Sequence, residues 1–255
     1  GRELEIPDPS TPPQGGRVPS PLPHLPNPAA LRPVGPPVRG NLIMPDRSFL
    51  SWPFFEDRHR EYAGHLDSWC AQNLPADHHD VDAACRELVK KLGRDGWLKP
   101  TAIDPKNPAP LDVRTLCLTR ETLARHDGLA DFAFAMQGLG TGAVSLFGEA
   151  HHRQWLEKTR AGEALSAFAL SEPRSGSDVA NMDMTATRDG DHYVLSGEKT
   201  WISNGGIADL YTVFARTGEA PGAKGISCFL VPADTPGLTV AERIEVVAPH
   251  PLARL

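Results

Sequence analysis

The sequence predicts an α+β multidomain protein: an all-helical N-terminal part followed by an antiparallel β part, with a proline-rich extension ahead of both. Three observations predict it. Apolar residues recur at helical spacing from Pro53 to about Arg160. From Leu165 the period shortens, and short apolar runs alternate with Asp189-Gly190, Gly205-Gly206, Thr217-Gly218 and Pro236-Gly237. Prolines crowd residues 1–45. The expected boundaries are 1–45 for the extension, 46–163 for the helical domain and 164–255 for the β domain.

In the extension, Pro12-Pro13, Pro19, Pro21, Pro23, Pro26, Pro28, Pro33 and Pro36-Pro37 exclude helix and ladder alike, so it reads as disordered with polyproline character. It lacks the apolar centre of a signal peptide, and Glu3, Glu5 and Asp8 argue against a transit peptide. Met44-Pro45-Asp46 reads as a natural start, which makes the residues before it an upstream extension.

Phe54, Phe55, His59, Tyr62, Leu66 and Trp69 mark the first helix, ending near Leu74-Pro75. Asp80 to Leu92 is a second, with Val81, Ala84, Cys85, Leu88, Val89 and Leu92 on one face and Gly93 as its stop. Asp112 caps a third helix running to about His126. Leu129 to Phe147, apolar with small residues interspersed, reads as a buried central helix, and Glu149 to Arg160 as a short charged one. Further on, Met184 to Glu198 reads as a hairpin, and Leu210–Ala215, Ile226–Val231 and Leu238–Ala241 as further strands.

Net charge is −6 with both signs interspersed, which argues against a nucleic-acid partner, and no apolar run is long enough to span a bilayer. Cys70, Cys85, Cys117 and Cys228 are scattered without a C-x-x-C, as in a cytoplasmic protein with reduced thiols. No metal site is expected: neither His78-His79-Asp80 nor His151-His152 has a third ligand at useful spacing. Gly138-x-Gly140-x-Gly142 follows no strand and lacks dinucleotide-loop spacing, so it reads as close helix packing.

The chemistry concentrates between Ala167 and Gly206. Leu165 to Leu170 is a buried strand that breaks at Ser171-Glu172-Pro173. Arg174-Ser175-Gly176-Ser177-Asp178 is then a loop in which Gly176 permits positive φ and N–H groups can converge on an anion; Ser171, Ser175 and Ser177 add hydroxyl donors. Glu172 and Asp178 read as local structural acceptors, and Glu198 and Lys199 as exposed strand charges. Trp201 offers a flat surface, and on a strand it shares a face with Ser203. Together these suit a ring system linked to a pyrophosphate.

A-L-S-E-P-R-S-G-S-D-V and G-E-K-T-W-I-S-N-G-G closely resemble the paired flavin-contacting motifs of the acyl-CoA dehydrogenase family, and the resemblance runs from about Met44 to Leu255. It implies an all-α N-terminal domain, a middle β domain and FAD as cofactor. By position, Ser171 would bond the pyrimidine side of the flavin, Ser203 would approach N5 and Trp201, followed by Ile202, would shield the ring. Phe168 and Leu170 would add backbone and wall contacts. Gly176 belongs to the cofactor loop, and Ser177 would lie near a phosphate or the CoA arm of the substrate. Arg174 departs from the small residue often found there and points either to solvent or to a phosphate.

The resemblance further implies α,β-dehydrogenation of an acyl-CoA thioester, by α-proton abstraction with hydride transfer to flavin N5. Electrons would pass to an electron-transfer flavoprotein-like acceptor, and the full-length protein would be a homo-oligomer. The catalytic residue is unknown: the family's base lies in a C-terminal helical bundle that this text lacks, so the chain reads as truncated and inactive alone. A flavin-dependent hydroxylase or acyl-CoA oxidase of the same architecture, and a non-catalytic remnant, stand as alternatives.

Overall fold

Strand β1 (Ser166–Ala169) lies where a helical region meets a β region, and the residues of the first motif begin on it. The structure, a computed structural model, describes residues 46–255; the expectations for residues 1–45 lie outside the described residues. Residues Ser48–Leu255 form one compact unit.

The helices are α1 (Asp57–Asn73), α2 (Val81–Arg94), α3 (Val113–His126), α4 (Gly128–Phe147) and α5 (Gln154–Ala161). Three begin at aspartates that cover otherwise unpaired N–H groups. Asp80 accepts from Ala83, Asp112 from Arg114 and Thr115, and Asp127 from Leu129 and Ala130. Gly162 in the left-handed conformation, φ 73°, closes α5. The helical core gathers Leu66, Leu88, Leu92, Leu98, Leu123 and Phe134. Central α4 packs against α2, α3, α5 and β1.

Gly93 does not end α2, which continues to Arg94. A Cβ at Gly93 would overlap the Ala161 carbonyl, so this glycine serves the close approach of α2 to the end of α5. Gly140 does the same between α4 and β1: a Cβ there would sit 2.5 Å from Ser166 Oγ. At Gly142 a Cβ would meet nothing within 4 Å.

The β region adds β2 (Thr185–Asp189), β3 (His192–Ser196), β4 (Ile202–Ser203), β5 (Leu210–Arg216), β6 (Ile226–Pro232), β7 (Glu242–Arg243) and β8 (Leu252–Arg254). One sheet runs β1-β5-β2-β3 with β6 also on β5, and a second runs β4-β8-β7. β2 and β3 form the expected hairpin, turning at Gly190 with φ 59°. β5 and β6 are antiparallel, as are the pairs of the second sheet. β1, however, runs parallel to β5, so the first sheet is mixed rather than purely antiparallel. The long segment from Leu170 to Asp209 returns β5 alongside β1 in the same direction, which a tight hairpin cannot do. Leu238–Ala241 is irregular, and pairing begins only at Glu242. No described helix is long and apolar enough to cross a membrane.

Candidate functional site

β1 lies at the edge of its sheet, and parallel pairing decides which of its backbone groups are free. The Leu210 N–H donates to the Leu165 carbonyl, and Ser166 is in register with Leu210. Alternate residues of a parallel strand bond to one neighbour, so Ala167 and Ala169 bond to β5 while Ser166, Phe168 and Leu170 face the other edge. Side chains take some of those groups. Gln137 Oε1 accepts from Ser166 N–H at 2.9 Å, Asn204 Nδ2 donates to Ser166 O at 2.9 Å, and Lys199 Nζ donates to Leu170 O at 2.9 Å. The N–H and C=O of Phe168, between them, face the open edge.

The side chains divide in the same way. Ala167 and Ala169 enter the β core with Tyr211 and Val213. On the opposite face Phe168 packs on Phe214, with ring centroids 5.0 Å apart, and Thr212 Oγ1 donates to the Gly140 carbonyl at 2.6 Å.

The chain leaves β1 through Ser171 into a tight turn in which Glu172 and Ser175 exchange backbone hydrogen bonds. Ser175 Oγ donates to the Asp178 carbonyl at 2.6 Å and is committed to the loop. Gly176 and Ser177 are exposed. Gly176 does not use its left-handed freedom, contrary to the sequence expectation; the positive-φ glycines lie elsewhere. Arg174 is exposed and only approaches Asp183, at 3.9 Å.

Thr200 N–H donates to Ser171 O at 2.9 Å, so the residues before Trp201 meet the end of β1 directly. Trp201 is not in a strand: its φ is 58°, and it forms a bend ahead of the two-residue β4. The shared-face argument for Trp201 and Ser203 therefore does not hold. A left-handed backbone costs a bulky L-residue roughly 1–2 kcal/mol, and such outliers concentrate at functional sites. Trp201 is nonetheless 60% exposed. Ile202 is buried and pairs with Ala253, and Ser203 is half-buried. Asn204, with φ 60°, is fully buried. Neither the Ser171 nor the Ser203 hydroxyl has a hydrogen-bond partner among the described residues.

Lys199 is the largest departure from expectation. Read as an exposed strand charge, it is buried, with a side chain 2% exposed against a Glu172 equally covered. Its ammonium contacts Glu172 Oε1 at 2.8 Å, and Glu172 also accepts from the N–H groups of Asp183 and Met184. Burial pushes the Glu172 carboxyl up, but the Lys199 and backbone hydrogen bonds outweigh it and hold the group below its ordinary value. Burial pulls the Lys199 pKa down against the opposing pull of Glu172. Glu172 is thus an acceptor with both oxygens engaged. The sequence places an acid, Glu172, in the first motif and a base, Lys199, in the second, each beside other charges; only the fold shows that these two meet.

Gln137 went unremarked, and Cys85 and Asn204 read in the sequence only as part of a helix face and of the second motif, not as neighbours. Cys85 Sγ lies 3.7 Å from Asn204 Oδ1, and burial pushes its thiol up to about 12, so it stays protonated. Elsewhere His78 bonds Asp127 at 3.0 Å, and no described cluster of His, Cys, Asp or Glu is arranged to hold a metal. A cavity of about 630 Å³ opens on the Ala169 and Val213 face of the sheet, among these two, Phe229, Val231 and Leu238; Lys199 also lines it, whereas Trp201 and Ser203 do not.

Residues 167–253 match the family model described as acyl-CoA dehydrogenase, middle domain. The chain is 43% identical over 193 residues to the probable acyl-CoA dehydrogenase FadE25 of Mycobacterium tuberculosis, covering 67% of this chain and 50% of that one. An acyl-CoA dehydrogenase structure from Geobacillus kaustophilus superposes with a TM-score of 0.69 at 28% identity, over 79% of this chain and 55% of that one. PigA, solved as a complex with FAD, gives 0.70 at 26% identity, over 78% and 55%. The chain spans half or less of the length of the curated relatives it matches. The motifs, the fold and these likenesses agree, and the chain belongs to the acyl-CoA dehydrogenase family.

Proposed function

We propose that the chain holds FAD along the open edge of β1 and contributes the flavin side of an acyl-CoA dehydrogenase. One observation carries the reading. Polar groups without partners among the described residues, the Phe168 backbone and the Ser171 and Ser203 hydroxyls, gather beside an exposed tryptophan kept in a costly backbone conformation. These groups suit a flat heteroaromatic ligand, which needs donors and acceptors in its plane and an apolar surface on its face.

Ser171 and the Phe168 backbone hold the pyrimidine edge, with Leu170 beside them. Ser203 donates toward N5 and Trp201 covers the ring; the Ile202 side chain is buried in the β core, so Ile202 holds the bend in place rather than covering the ring. Gly176 and Ser177, on the exposed loop, serve the phosphates or the CoA arm of the substrate. FAD would supply two-electron acceptance from an acyl thioester. The residues of this chain bind and orient, and their donors favour negative charge on the reduced ring. Glu172 is not the base that takes the α-proton, because both its oxygens are engaged. The acyl-CoA substrate, an electron-transfer flavoprotein-like acceptor and a homo-oligomeric state of the whole protein belong to the same proposal, drawn from the family.

The test is anaerobic addition of acyl-CoA to the FAD-reconstituted protein. Bleaching of the visible flavin band supports the reading. Bleaching with rapid recovery and oxygen uptake in air would instead favour the oxidase or hydroxylase reading; a protein that takes up no FAD would count against both, whereas bound flavin that no acyl-CoA reduces would fit a chain that supplies the flavin side without the base.

A further inference from the structure

We propose that Lys199 is a positioning residue for the flavin site: clamped between Glu172 and the Leu170 carbonyl, it sets the separation of the strand end carrying Ser171 from the bend carrying Trp201 and Ser203. The proposal rests on the flavin reading above and names a determinant that reading does not use.

The geometry supports a clamp. Lys199 reaches Leu170 O at 2.9 Å and Glu172 Oε1 at 2.8 Å, and its third neighbour is Met182 Sδ at 3.9 Å. Its backbone is tied from the other side, exchanging N–H and C=O hydrogen bonds with Leu255. The next residue, Thr200, donates to Ser171 O. Glu172 in turn holds the Asp183 and Met184 amides, which fixes the start of the β2–β3 hairpin. One buried ammonium therefore joins three segments: the end of β1, the loop returning at residues 182–184, and the approach to Trp201.

Stability alone explains such a pair poorly. A buried ion pair is often no more stabilising than apolar side chains of similar volume, whereas removing one partner alone is strongly destabilising. What the pair supplies is direction. An ammonium demands acceptors at hydrogen-bond distance, and Leu170 O is the backbone group next to the proposed flavin contact at Ser171. Methionine at position 199 would fill the space and leave that carbonyl without a donor.

The test compares the FAD-reconstituted wild-type protein with Lys199→Met/Glu172→Gln, which removes both charges together, and with Lys199→Arg. Three quantities are read: apoprotein melting temperature, FAD affinity by flavin fluorescence titration, and the position of the visible flavin bands. The double variant is expected to melt near wild type yet bind FAD about tenfold more weakly, as for loss of one charge-assisted hydrogen bond at the site, with shifted bands. Lys199→Arg, which keeps a donor, is expected to recover part of that affinity. A folded double variant with wild-type affinity and spectrum would overturn the proposal and leave the pair a purely structural role. If the double variant does not fold, Lys199→Arg alone, which keeps the charge pair but not the ammonium geometry, carries the test; a several-fold loss of affinity or shifted flavin bands supports the clamp, and no change in either overturns it. A wild-type protein that takes up no FAD would instead sink the flavin reading, and this proposal with it.

Discussion

Asn204 donates Nδ2–H to the Ser166 carbonyl at 2.9 Å while its Oδ1 lies 3.7 Å from Cys85 Sγ, so one amide ties the bend after Trp201 both to β1 and to α2. Its φ of 60° is one that asparagine tolerates better than most residues. Asn204→Gly keeps the conformation but leaves a buried carbonyl unpaired, for an expected loss of about 1–3 kcal/mol. Asn204→Val adds backbone strain and is expected to lose more. Urea denaturation orders the three proteins; equal stability of wild type and Asn204→Gly would show that the hydrogen bond contributes nothing.

The glycines of α4 separate packing from propensity. Gly140→Ala forces a methyl against Ser166, and the expected cost is about 1–3 kcal/mol, as for overpacking. Gly142→Ala meets nothing, and the expected gain is about 0.5–1 kcal/mol from helix propensity. Thermal melts of the two variants should move in opposite directions.

Trp201 gives a stability–function contrast. Trp201→Gly releases the left-handed strain and Trp201→Ala does not, so the glycine variant is expected to be the more stable apoprotein, by up to about 1 kcal/mol. Both are expected to bind FAD more weakly, since each removes the exposed ring. Retention of full FAD affinity in both would remove Trp201 from the site.

Acid lability follows from Asp127, whose side chain is fully buried. Burial pushes its pKa up, but the Ala76 N–H, His78 and the Leu129 N–H outweigh this and hold it below the ordinary 3.8. A depressed carboxyl adds stability that is complete above its unfolded pKa and lost as pH falls through the folded one. Melting temperature is therefore expected to fall as pH drops below about 4, near the unfolded aspartate value. Asp127→Asn, which can still cap α4, should flatten that limb of the curve; an unchanged acid limb would contradict the assignment.

Much of this was legible because it is local. Asp112 marks a helix start by a side chain bonding its own next turn, and the β2–β3 hairpin shows around Asp189-Gly190. The two motifs also identified the neighbourhood that the fold brings together through Thr200 and Ser171. What escaped was long-range. Lys199 looks like any strand lysine until Glu172 is known to face it, and Gly93 looks like a helix stop until Ala161 is packed against it. Trp201 was misread because a short Trp-Ile-Ser run matches strand propensity, while the bend is imposed by Asn204 and β8 pairing around it. Parallel pairing of β1 was hidden for the same reason: its partner lies beyond the whole hairpin.

The visible absorption spectrum of the purified protein, after reconstitution with excess FAD and removal of the unbound cofactor, bears most directly on whether the β1 edge is a flavin site. Flavin bands at near-stoichiometric amount in the wild type, with clear loss in Trp201→Ala and Ser203→Ala, are the expected result. A folded wild-type protein that stays colourless, or variants that hold flavin as fully as the wild type, would contradict it.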